Sequence, residues 1–136
     1  MQGDSDARQR ADLVFGVWND EGLEAMAERF WHPDIVWEEA PDFPDAGVRR
    51  GRDEAVRRMS ERLELLGHIQ IEVLDARRIG DNILIEAIVR GTGSASGAPV
   101  ANREFFLITV GPDGLSTRFR EYLDRDSAIA AAEADA

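Results

Sequence analysis

Lysine and cysteine are both missing from this chain. Each of its 16 basic residues is an arginine, so neither a Schiff-base lysine nor a phosphate-loop lysine is available. Without cysteine there are no disulfides, no thiolate nucleophile and no cysteine zinc site. Basic charge is scarce as a whole: 27 acidic residues against 16 arginines leave a net charge of −11. That balance argues against nucleic acid and anionic membranes, which both attract basic surfaces. Histidine is limited to His32 and His68. No apolar run approaches the length of a membrane span or a signal peptide, and a cytoplasmic location is expected. The chemistry left to the chain must use carboxylates, arginine, the lone Tyr122, hydroxyls or a histidine.

What is present is enough for a core. Of 136 residues, 43% are apolar and 32% charged, and a chain of this size hides roughly two thirds of its unfolded surface when it folds. With no repeat and no long linker, one domain over residues 1–136 is expected, with its core roughly between 8 and 130. Ala11, Val14, Phe15 and Trp18 recur at helical spacing. Asn19 and Asp20 interrupt that helix, and a short second one carries Leu23, Met26, Ala27 and Phe30. His32-Pro33-Asp34 reads as a turn, Ile35-Val36-Trp37 as a strand, and residues 40–51, with two prolines and two glycines, as a surface loop. Asp53 opens a third helix with Val56, Met59, Leu63 and Leu66 as its stripe, and Gly67 closes it. From there the period becomes that of strands: 69–76, 83–90, 100–110 and 115–123, separated by short turns and by a glycine- and serine-rich loop at 91–99. The end from Ser127 reads as a short helix or a frayed tail. Helices followed by an antiparallel meander make an α+β fold.

Several local patterns resemble the nuclear transport factor 2-like superfamily, and within it the SnoaL-like polyketide cyclase and ketosteroid isomerase branch. They are Trp18-Asn19-Asp20-Glu21-Gly22-Leu23, His32-Pro33-Asp34-Ile35-Val36-Trp37, Gly51-Arg52-Asp53-Glu54-Ala55-Val56, and Asp113-Gly114-Leu115 followed by Arg120-Glu121-Tyr122-Leu123-Asp124. The resemblance spans roughly residues 8 to 130. It implies a cone: a curved antiparallel sheet wrapped around three N-terminal helices and enclosing a pocket. It also implies a small-molecule ligand, no cofactor, and pairing into homodimers through the outer sheet face.

Strand alternation nominates the pocket side chains. On the last strand Phe119, Glu121 and Leu123 share the inner parity, and Arg118, Arg120 and Tyr122 the outer. On the strand before, periodicity leaves two choices, and the resemblance selects Asn102, Glu104, Phe106 and Ile108. On the strand before that, pattern and resemblance disagree. The apolar row Ile83, Ile85, Ala87 and Val89 looks like core, yet the resemblance places Glu86, Ile88 and Arg90 inside. A dimer burying the apolar row, together with Phe105 and Leu107, would reconcile the two. Trp37 is expected to stack on a ligand.

Glu39 matches the general base of the isomerase branch, and Glu121 matches an acid-base carboxylate of the epoxide hydrolase relatives. These two are the candidate catalytic residues. The rest of either site departs from its pattern: the isomerase phenol and protonated acid correspond to Val14 and Phe106, and the hydrolase partners to Ile88 and Arg90. Arg90 is expected to pair with Glu121 inside the cone. For Glu39 the competing orientation is outward, against Arg49 or Arg50. Neither histidine has the spacing of a triad, and the glutamates lack the loop-borne Asp and Asn of hard-metal sites, so no metal is expected. The expected function is binding of a small, largely apolar organic molecule, with carboxylate acid-base isomerisation or ring closure. A non-catalytic carrier or sensor, and a dimeric assembly module with a vestigial pocket, are the alternatives.

Overall fold

A computed structural model describes residues 2–43, 45–92 and 99–135. Its elements are α1 (Gln2–Glu21), α2 (Leu23–Phe30), β1 (Trp31–Glu38), β2 (Val48–Arg50), α3 (Arg52–Leu66), β3 (Gln70–Ile79), β4 (Asn82–Thr92), β5 (Pro99–Val110), β6 (Ser116–Tyr122) and α4 (Arg125–Asp135). The strands form one curved, unclosed sheet in the order β2-β1-β6-β5-β4-β3. β1 runs parallel to β6, and the other neighbours are antiparallel. The fold is therefore the expected α+β cone. Residues 93–98 of the glycine- and serine-rich loop lie outside the described residues.

Helix α1 buries Ala7, Ala11, Val14, Phe15 and Trp18, one stripe at a 3.6-residue period. Among the side chains that fasten it to β3 and the residue before it are Trp18 and Asn19. The Trp18 indole N–H donates to the Ile69 carbonyl at 3.0 Å. Asn19 forms a reciprocal pair with the Ile71 backbone, both bonds 2.8 Å long. Asn19 thus belongs to the helix rather than interrupting it, because its amide replaces a missing strand neighbour at the edge of the sheet. The break falls at Gly22, whose φ of 96° lies where a side chain is strained.

His32-Pro33-Asp34 was expected as a turn but lies within β1. The pairing of β1 with β6 shifts register between Trp31 and Val36, and that irregular stretch tolerates a proline without an N–H. The short β2, inside the expected loop, pairs Arg49 with Trp37.

Register settles the parity of β4. Ile85 faces Phe106, Ala87 faces Glu104, and Ile83 faces Ile108. Directly paired residues share a face, so the inner row of β4 is Ile83, Ile85, Ala87 and Val89. The first three are buried in the main core with α1 and α2, and Val89 packs against it. The placement of Glu86, Ile88 and Arg90 inside the cone is overturned. A one-residue slip flips every side chain of a strand, and the plain apolar pattern carried the correct register. Glu86 pairs with Arg103 and Arg125 on the outer face, Arg90 pairs with the exposed Glu72, and Ile88 lies on the same outer row. The expected Arg90–Glu121 pair therefore does not form.

The same register removes the reason given for a dimer, since Ile83, Ile85 and Ala87 belong to the core. Phe105 and Leu107 do face outward, with Leu84, but α4 lies on them with Ala128 and Ala132. The helix is held by Asp135, which accepts from Arg120 and from Asn82. Among the described residues, no helix is long and apolar enough to cross a membrane.

Candidate functional site

The open end of the cone holds a cavity of about 320 Å³. Its walls come from α1, α2, α3, the loop before β2, and strands β3 to β6. Most of the lining is apolar, including Phe15, Met26, Met59, Ile71, Phe106 and Phe119. The polar side chains on it are Asp45, Arg58, Arg62, Asn102, Glu104 and Glu121.

Glu104 and Glu121 enter from neighbouring strands at inner parity, Glu121 as alternation predicts and Glu104 as the resemblance implies. Glu104 is 5% exposed and meets no hydrogen-bond partner among the described residues. Burial, and secondarily the nearby Glu121, push its pKa up to about 7, while Arg62 opposes the rise. Glu121 is equally buried but partnered. Its Oε1 accepts from the Arg62 guanidinium at 2.9 Å and from the Trp37 indole at 3.1 Å. Burial raises its pKa, and those two donors pull against the rise.

Arg58 and Arg62 were not singled out from the sequence, yet they organise this end of the molecule. α3 buries Ala55 and Met59, and position 62 follows them on the same stripe at i+7 and i+3. An arginine inside an apolar stripe is the signal that points to it. Its guanidinium lies over the Trp37 ring at 5.2 Å and the Phe43 ring at 4.4 Å, distances suited to cation–π contact.

Glu39 sits just beyond β1, its side chain fully buried, and is not part of the cavity wall. Oε1 accepts from Arg58 at 2.9 Å. Oε2 accepts from the Gly47 N–H at 2.9 Å and from Arg49 at 3.2 Å. Both oxygens are thus occupied by fixed donors, an arrangement that combines the competing pairing with Arg49 and an unforeseen one with Arg58. Trp37 is also fully buried and off the cavity wall. The ligand-stacking expectation for it is corrected: its ring is covered by Arg62 and meets Phe119 edge-on at 6.4 Å.

Of the residues nominated from the sequence, the structure brings Asn102, Glu104, Phe106, Phe119 and Glu121 to the cavity. Trp37 and Glu39 stand behind it, and Glu86, Ile88 and Arg90 lie on the outer face. Among the described residues, no group of three or more His, Asp or Glu side chains is arranged to hold a metal ion. The arrangement supplies an apolar chamber with one unpaired carboxyl, one arginine-bound carboxyl and a fixed guanidinium.

A family model for the SnoaL-like domain matches residues 12–119. Among curated proteins none matches the chain in sequence. Solved structures share the fold. A protein described as a SnoaL-like polyketide cyclase, from Jannaschia sp. CCS1, superposes with a TM-score of 0.74 at 17% identity, covering 98% of this chain and 96% of that one. A ketosteroid isomerase-like protein from Catenulispora acidiphila DSM 44928, solved with trimethylamine, gives 0.72 at 16% identity, with 91% and 92% covered. AclR from Streptomyces galilaeus, described as a hydroxylase, gives 0.69 at 16% identity, with 95% and 96% covered.

Proposed function

The chain belongs to the SnoaL-like domain family, and from that premise and the geometry of its cavity we propose that it binds a small, largely apolar organic molecule and moves a proton on it with Glu104. The observation that carries this reading is the unpaired Glu104 carboxyl on an apolar wall, titrating at about 7. A group with that pKa is present at neutral pH both as base and as acid, the condition under which proton transfer is most effective. Glu121 beside it is engaged by Arg62 and Trp37, so the two carboxyls sit in different environments, as in sites where one acts as acid or base and the other stays fixed.

The reaction class that fits is removal and return of a proton next to a carbonyl, giving isomerisation or ring closure. Glu104 takes this role in preference to Glu39, whose oxygens are both occupied by arginine and backbone donors. The polyketide cyclase and hydroxylase descriptions of structural neighbours agree with a chamber for an organic ring, although at their level of identity the likeness extends to the fold alone.

Hydrogen–deuterium exchange tests the reading without knowledge of the natural substrate. Cyclic β-keto and enone compounds are incubated with the protein in D₂O and followed by proton NMR. The parent is expected to accelerate exchange of the carbonyl-adjacent protons of at least one of them, and Glu104→Gln to return it to the buffer rate. Equal acceleration by parent and Glu104→Gln would exclude Glu104 as the proton carrier.

A further inference from the structure

Arg62 has more donors than its protein partners use. Nη1 donates to Glu121 at 2.9 Å and lies 3.7 Å from Glu39 Oε1, beyond hydrogen-bond range. Among the described residues, Nε and Nη2 meet no acceptor. The buried side-chain nitrogens without a partner among these residues are Nε of Arg49 and Nε of Arg120. The spare nitrogens of Arg62 therefore keep contact with accessible space, and Arg62 is one of the residues that line the cavity. Its side chain is 18% exposed, and the rings of Trp37 and Phe43 flank the guanidinium. The result is a fixed fork of N–H groups, partly shielded from water, facing an apolar chamber.

We propose that Arg62 binds the ligand's acidic oxygen, a phenol or enol, through Nε–H and Nη2–H, with Glu121, Trp37 and Phe43 as the residues that position it. This rests on the small-ligand reading above and specifies the ligand that the cavity takes. The oxygen is accepted as its anion: the O–H bond breaks, its proton passes to the Glu104 carboxylate, and the phenolate or enolate remains on Arg62 beside a neutral carboxyl. A planar guanidinium is suited to a delocalised oxygen anion, and a positive group aimed at developing negative charge is the usual means of stabilising an enolate. The charged groups facing this point are Arg58 and Arg62 from α3, Glu104 from β5, Glu121 from β6 and Asp45 from the loop, with Glu39 behind the wall at 3.7 Å from Arg62 Nη1. Four carboxyls among them disfavour a dianion such as phosphate. A singly charged oxygen on an apolar ring fits both the charge and the lining.

Two probes of nearly equal shape test this: 4-nitrophenol, and 4-nitrotoluene, in which a methyl group replaces the hydroxyl. The phenolate has its own visible absorbance, so the ionisation of bound 4-nitrophenol is read directly in a pH titration with protein in excess. The expected result is ionisation at least one pH unit below the free phenol, about a tenfold preference for the anion, and binding about tenfold tighter than 4-nitrotoluene. Arg62→Met should abolish both differences. The double variant Arg62→Met/Glu121→Met, which leaves neither charge of the pair alone, should behave the same and serves if the single variant does not fold. Equal binding of both probes with no downward shift in ionisation would overturn the role of Arg62 and leave the apolar cavity standing. So would a shift that survives in either variant. Failure of both probes to bind would remove the cavity reading itself, and the role of Arg62 with it.

Discussion

Arg62 reaches from the third helix to Glu121 on the last strand, Nη1 to Oε1 at 2.9 Å, and closes one wall of the cavity. Both partners are largely withdrawn from water, and breaking such a pair by removing one side leaves a charge or a polar group uncompensated. Arg62→Met and Glu121→Met are each expected to lower stability by about 3 kcal/mol. The double variant should lose less than the sum of the two. Urea unfolding of the four proteins gives the coupling, and additive losses would show that the contact contributes nothing specific.

Arg90 and Arg58 provide a contrast between an outer and an inner ion pair. Arg90 and Glu72 are each 53% exposed, and exposed pairs contribute about 1 kcal/mol at most. Arg58→Ala instead strips a donor from Glu39, whose side chain is fully buried. It is expected to cost about 3 kcal/mol, against under 1 kcal/mol for Arg90→Ala. Chemical melts of the two variants compare them, and equal losses would contradict the assigned faces of β4.

Glu104 gives the stability a pH dependence of definite sign. Its pKa rises from the usual 4.5 to about 7 on folding, so between those values the folded chain holds a proton that the unfolded chain has released. Stability therefore falls as pH rises from about 4.5 to 7 and then levels off. At about 1.4 kcal/mol per unit the loss is on the order of 3 kcal/mol. Glu104→Gln should remove that slope and be more stable than the parent at pH 8. Parallel pH profiles of the two proteins would refute it.

The helix α4 covers Leu84, Phe105 and Leu107 on the outer face of the sheet. Ala128 and Ala132 at its contact are fully buried, so a larger side chain has no room there. Ala128→Glu, or removal of residues 125–136, is expected to expose this apolar face, lower the melting temperature by several degrees and promote self-association. Sedimentation together with thermal melts checks both effects. A truncated chain that matches the parent in melting temperature and sedimentation would show that the helix protects nothing.

Much of the fold was legible because period reports burial. The helical stripe of α1, the change to alternation after Gly67 and the short turns around β4 and β6 each leave a local trace. The inner parity of Glu121 and Phe119 followed from their strand alone, because the opposite row is polar. The parity of β4 went wrong when distant resemblance was preferred over the continuous row Ile83, Ile85, Ala87, Val89. The role of Arg62 was hidden for another reason. Its partners lie 59 positions away at Glu121, and on the remote rings of Trp37 and Phe43, and no local pattern reports contacts of that kind. Only its place on the apolar stripe of α3 marked it as unusual. Glu39 was nominated as a base with Arg49 as a competing partner, but its other arginine, Arg58, comes from α3, which only the tertiary fold brings to it.

The account stands most directly on the ionisation of Glu104. Carbon-13 NMR of the glutamate carboxyls, with Glu104 assigned by its loss in Glu104→Gln, reads that ionisation in the intact protein. The predicted result is a titration midpoint at about 7, moving upward when 4-nitrotoluene fills the cavity and makes the surroundings of the carboxyl less polar. A midpoint near 4.5, unchanged by the added compound, would contradict both the buried, unpaired state of Glu104 and the cavity's claim to a proton-transfer site.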